Sequence, residues 1–97
     1  MTYRFLTPAV DEVAEAAKYY EAQAKGLGAK FFDELEAAIL RILQFPEAWS
    51  LLSKPFRHCS LRCFPYSIIY SVSSPREILI VSVFHLHREP MSWARNV

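Results

Sequence analysis

Several things are missing from this 97-residue chain, and each absence removes a class of explanation. No run approaches the roughly 18 consecutive apolar residues of a membrane span, and the N-terminus lacks the basic-then-apolar pattern of a secretory signal. The expectation is a soluble protein of the cytoplasm with no membrane partner. There is no internal repeat, low-complexity segment or composition break, so the length points to one domain spanning residues 1–97. Cysteine is limited to Cys59 and Cys63. On one extended strand their Cα atoms would lie about 13 Å apart at a rise of roughly 3.3 Å per residue. A disulfide between them is therefore excluded, and reduced core thiols are expected. The same separation argues against a shared zinc ion, despite the His85-x-His87 spacing nearby, and no cofactor is expected.

Net charge is also nearly absent, at +1, but its distribution is uneven. Met1 to Ser53 carries eight acids against five bases, a net of −3, whereas Lys54 onward carries six bases against two acids, a net of +4. An anionic partner would prefer the C-terminal half. Hydrophobic residues make up 53% of the chain and the mean hydropathy is +0.09. That is rich for a free-standing domain of this size, so some apolar surface is expected to serve a partner.

The patterning is clearest from Leu61 to Val72. Beyond Pro65, Tyr66, Ile68, Tyr70 and Val72 alternate with Ser67, Ile69 and Ser71, predicting a strand that Pro65 opens. Thr2–Leu6 reads as a short first strand. Thr7 is then a suitable helix N-cap, with Pro8 in the first turn and Asp11 and Glu12 complementing the dipole. Val10, Val13, Ala17, Tyr20 and Ala24 form one helical stripe, with Glu12, Glu15 and Lys18 on the other face. Gly26 is expected in a left-handed conformation that stops this helix. A second helix then runs to about Phe45 with Phe31, Phe32, Leu35, Ala38, Ile39, Ile42, Leu43 and Phe45 as its apolar face. Pro46 ends it, and Glu47–Pro55 reads as loop containing Trp49, Leu51 and Leu52. Arg57–Phe64 alternates as a strand, with Cys59, Leu61 and Cys63 on one face. Glu77–Phe84, apolar on both faces, belongs inside a sheet. The expected order is strand, helix, helix and three antiparallel strands, followed by a short tail.

This order, with the phrases Tyr19-Tyr20 to Leu27-Gly28, Phe45-Pro46-Glu47, Arg62 with Phe64-Pro65-Tyr66-Ser67-Ile68-Ile69-Tyr70, and His85-Leu86-His87-Arg88-Glu89-Pro90 with Trp93 and Arg95, resembles the RelE/ParE toxin superfamily. Its members are often described as plasmid stabilisation proteins. The resemblance implies an α+β fold in which an antiparallel helical hairpin packs on a curved, mainly antiparallel four-stranded sheet, with the first strand beside the last. It also implies a type II toxin–antitoxin system in which a cognate antitoxin wraps the toxin in a hetero-oligomer, its binding segment folding as it docks.

RelE-like members cleave messenger RNA on the ribosome, whereas ParE-like members poison DNA gyrase. The nucleases place an arginine directly after the tyrosine matching Tyr66, but here that position is Ser67. They are also strongly basic, with a tyrosine or histidine near the C-terminus where this chain has Trp93. The resemblance therefore favours a ParE-like gyrase inhibitor without chemistry of its own. The alternatives are an mRNA endoribonuclease or a non-toxic antitoxin-binding relative. In a nuclease, Arg62, His85, His87 and Arg88 are the candidates, a histidine acting as general acid or base and the arginines holding phosphate. As target or antitoxin contacts the candidates are Arg62, Tyr66, His87, Arg88, Trp93 and Arg95.

Overall fold

In the computed structural model, residues 1–88 and 91–97 are described. The chain starts with β1 (Thr2–Phe5), then forms α1 (Thr7–Gln23) and α2 (Leu27–Gln44). It continues through β2 (Leu51–Ser53), β3 (Phe56–Ser60), β4 (Tyr66–Ser74) and β5 (Glu77–His85), and ends in a 3₁₀ helix (Ser92–Asn96). The strands form one open sheet in the order β1-β5-β4-β3-β2. β1 runs parallel to β5, and the remaining neighbours are antiparallel. The first strand does lie beside the last, but the sheet has five strands rather than four. The extra one is Leu51–Ser53, within the stretch read as loop. Its three residues are all exposed, so no burial alternation marks them as a strand.

Both faces of the sheet carry buried side chains. Against the helices pack Ile68 and Tyr70 of β4 and Ile78, Ile80 and Val83 of β5, meeting Ala9, Val13, Ala16 and Ala17 of α1 and Phe31, Leu35, Ala38, Ile39 and Ile42 of α2. Burying each larger side chain contributes about 1.5–3 kcal/mol. Ile69, Val81 and Trp93 form a smaller core on the opposite face, with Leu6, Phe56, Leu79 and Phe84 around it. Both faces of β5 are therefore occupied, as its continuous apolar run requires. The register with β4 shifts between Ile69 and Tyr70, where Ile69 faces Ser82 and Tyr70 faces Ile80. Tyr70 is fully buried, donates to Pro46 O at 2.6 Å, and ties β4 to the stop of α2. Burial pushes its phenol up to about 12.

Several local features depart from the sequence pattern. Thr7 is already helical: the N-cap is Leu6, with no side-chain cap bond, and the first turn holds no acid. Val10 and Ala24, expected in the buried stripe, are exposed, as are Phe32 and Phe45 of the second helix. The third strand ends at Ser60 rather than Phe64. Leu61 and Phe64 still turn into the core, but Cys63 is exposed and only Cys59 is a core thiol. The tail is a 3₁₀ helix whose Trp93 is buried.

Gly26 does have positive φ, 89°, and serves as the N-cap of α2. The Glu21 carboxylate accepts the N–H groups of Gly26 and Gly28, which hold it below the usual carboxylate range. Gly28 lies against α1, where an added Cβ would stand 2.9 Å from Ala17 O.

Glu12, assigned to the solvent side from its spacing, instead turns toward β5. Its Oε1 accepts Ser82 Oγ at 2.9 Å, Val83 N at 3.1 Å and Asn96 Nδ2 at 3.4 Å. Removing this carboxylate takes the acceptor from Ser82 Oγ and Val83 N, whereas Asn96 Nδ2 keeps Val81 O at 3.0 Å. Glu12→Ala is expected to lower unfolding free energy by about 1–3 kcal/mol, with Glu12→Gln recovering part of the loss; equal denaturation midpoints for all three proteins would contradict this. Gly28→Ala sets a backbone clash of about 1–3 kcal/mol against a helix-propensity gain of at most about 1 kcal/mol. A net loss on the order of 1 kcal/mol is expected in a denaturant titration.

Candidate functional site

The end of the sheet where β4 begins and β5 finishes gathers the chemistry-bearing side chains. Tyr66 opens β4 opposite His85, the last residue of β5, and their rings lie 4.9 Å apart. Phe31 and Phe64 fix Tyr66 from behind, with Phe31 centred 5.2 Å from each. After His85 the chain turns, and His87 N donates to His85 Nδ1 at 3.0 Å. The imidazole rings of His85 and His87 are thereby brought within 5.1 Å of each other.

A concavity of about 250 Å³ opens here, bounded by His85, Tyr66 and Arg88 on the sheet side and Glu12, Glu15 and Tyr19 on α1. β1 reaches only Phe5, opposite Ile80, so it leaves Val81–His85 without a neighbouring strand on that side. The helix closes the gap with carboxylates. Burial pushes the Tyr66 phenol up, reinforced by Tyr20 and opposed by Arg88. Burial, followed by His87 and Arg88, holds the His85 imidazole below its ordinary 6.5.

Of the residues singled out from the sequence, this site unites Tyr66, His85, His87 and Arg88. Arg62 is exposed in the β3–β4 loop; burial pushes the nearby Cys59 thiol up, opposed by Arg41 and then Arg62. Trp93 is buried on the opposite sheet face, 5.1 Å from Phe56. Arg95 is exposed and its Nε donates to Ser92 O. Glu12, Glu15 and Tyr19 were missed because helical spacing places them on a polar face and carries no sign that a sheet end lies opposite.

Two more concavities flank the sheet. One, of about 320 Å³, lies between β1 and the helical hairpin, lined by Tyr3, Phe5, Val10, Phe32 and Ile39 among others. Tyr3, Val10 and Phe32 are each about half exposed. β1 is also an edge strand with its outer side unpaired. The second, of about 280 Å³, opens on the face away from the helices, around Ile69, Phe84 and Trp93. There His58 Nδ1 lies 3.2 Å from Ser67 Oγ. Ser67 is buried, so the position expected to carry a phosphate-binding arginine in a nuclease instead holds a small hydroxyl beside apolar side chains.

The lowered His85 pKa has a defined linkage. The fold favours neutral imidazole, so this group's stabilisation is complete above the unfolded midpoint and is lost as pH falls through the lower folded one. An NMR titration is expected to place the His85 midpoint below 6.5. Arg88→Gln should move it upward, and an unchanged midpoint would remove Arg88 from the account.

A search of curated proteins returned no match. Among solved structures, a chain of the chromosomal ParDE toxin–antitoxin system from P. aeruginosa superposes with a TM-score of 0.63 at 13% identity, covering 90% of this chain and 97% of that one. At that identity the likeness establishes the fold. The family described as ParE toxin of type II toxin–antitoxin system, parDE, matches residues 3–90. With the two helices packed on the open mixed sheet and a match over nearly the whole sequence, the chain belongs to the ParE toxin family of type II toxin–antitoxin systems.

Proposed function

We propose that this toxin acts by holding an essential target, DNA gyrase, rather than by cutting RNA, and that a cognate antitoxin neutralises it. The observation that carries the first half is electrostatic. The cavity joining His85, Tyr66 and Arg88 also contains Glu12 and Glu15. A phosphodiester placed against that histidine would meet two carboxylates and one arginine, whereas phosphoryl chemistry requires cations around the developing charge. The concave alternative around Ser67 is predominantly apolar. Neither surface supplies the cationic cradle that Arg62, His85, His87 and Arg88 would form together in a nuclease.

The second half rests on the groove between β1 and the hairpin. Exposed Tyr3, Val10 and Phe32 beside an unpaired strand edge offer both modes by which peptides dock: an apolar side-chain row and a backbone ladder. An amphipathic antitoxin segment that orders on binding fits this surface. The surplus of apolar residues in the composition is thus given a use.

Expression without antitoxin is expected to arrest growth with gyrase-dependent DNA breaks and no codon-positioned mRNA cuts; the reverse pattern would establish the nuclease, and continued growth a non-toxic relative. Phe32→Glu is expected to weaken antitoxin binding by roughly tenfold or more while leaving toxicity in place. If Phe32→Glu binds antitoxin normally, the groove assignment fails while the target assignment stands.

A further inference from the structure

The concavity on the sheet face away from the helices has a different chemistry, and the antitoxin reading leaves it unused. Its floor is apolar, with Ile69, Phe84 and Trp93 supplied by β4, β5 and the 3₁₀ helix. Leu52, Leu86 and Met91 stand at its rim from three separate segments, each about half exposed. Single exposed apolar residues are ordinary, but three converging on one cavity form a patch. Met91 also has φ of 67°, and among the described residues it is the only non-glycine with positive φ. Such a conformation costs on the order of 1–3 kcal/mol and persists where surrounding structure holds it, often at ligand clamps.

The polar groups at this cavity are few, and one of them is a cation. Arg88 borders it and can only donate, and His58 and Ser67 are already joined by a hydrogen bond. An apolar chamber lined on one side by Arg88, which it shares with the mixed-charge cavity, complements a bulky apolar side chain that has a carboxylate close by.

We propose that this pocket docks a segment of a partner protein carrying one large apolar side chain beside acidic residues. The apolar group packs against Phe84 and Trp93, and a neighbouring carboxylate meets Arg88. The groove beside β1 lies on the other face of the sheet, so the two docking sites are separate. This docking does not depend on gyrase being the target, and it is measured on the purified protein alone.

The probe is a fluorescein-labelled peptide with one tryptophan between two pairs of glutamates, read by anisotropy and by NMR shifts. Saturable binding is expected, with the largest shifts at Ile69, Phe84 and the Trp93 indole. A lysine-flanked counterpart should bind at least roughly tenfold more weakly. Leu86→Glu and Arg88→Glu, both at exposed positions, should each weaken the glutamate peptide by roughly tenfold or more with unchanged thermal melts. Absence of saturable binding, equal binding of the two peptides, shifts centred on Tyr3 and Phe32, or full binding by folded Leu86→Glu would overturn the proposal.

Discussion

The molecule depends on how β5 satisfies its two edges. Its interior position in the sheet leaves no room for unmatched backbone groups, because a buried N–H without a partner costs about as much as several good contacts return. β4 covers one edge along nearly its full length. β1 covers the other only as far as Ile80, since Leu6 and Pro8 turn the chain into α1. Beyond that point Glu12 takes the Val83 N–H and Asn96 Nδ2 donates to Val81 O. A carboxylate from one end of the sequence and an amide from the other thus stand in for the missing strand. That arrangement fixes α1 over the sheet and anchors the C-terminal helix, which keeps Trp93 on the opposite face.

The three concavities follow from this framework. Where β1 is present, an apolar groove opens between it and the hairpin, lined by Tyr3 and Phe5 on one side and Val10 and Phe32 on the other. Where β1 is absent, α1 approaches β5 directly and brings Glu12 and Glu15 to the cavity that His85 lines. Behind the sheet, the 3₁₀ helix covers only part of the surface and leaves a pocket beside Trp93. One sheet therefore presents an apolar groove, a mixed-charge cavity and an apolar pocket bordered by an arginine. Arg88 lies between the last two and lines both.

The hairpin that shapes the first groove is held by a short-range device. Glu21 accepts the amides of Gly26 and Gly28, satisfying N–H groups at the start of α2 that otherwise have no helical partner. Gly28 allows α2 to approach the Ala17 carbonyl of α1 closely. The result is two helices near enough for Tyr20 and Phe31 to stack at 5.7 Å, and this pair supports Phe64 and Tyr66 at the sheet end. Helix packing and the position of Tyr66 are consequently linked.

By itself the sequence determined the two helices, the apolar interior strand at Glu77–Phe84 and the strand beginning after Pro65, because each produces a strong periodicity or a proline boundary. Together with the ordered phrases around Arg62, Tyr66 and His85, these were sufficient for the family. Tertiary structure alone decided the rest. Glu12 reads as solvent-facing because helical spacing says nothing about a neighbouring strand that stops early. Leu51–Ser53 reads as loop because a three-residue exposed edge has no alternation, and its pairing with β3 exists only once β3 is in place. His85, His87 and Arg88 are adjacent in sequence, but their union with Tyr66 needed the β4–β5 register, and the carboxylates facing them needed α1 above the sheet. Arg62 was separated from that group because β3 ends at Ser60 and the chain bends away before it reaches the site.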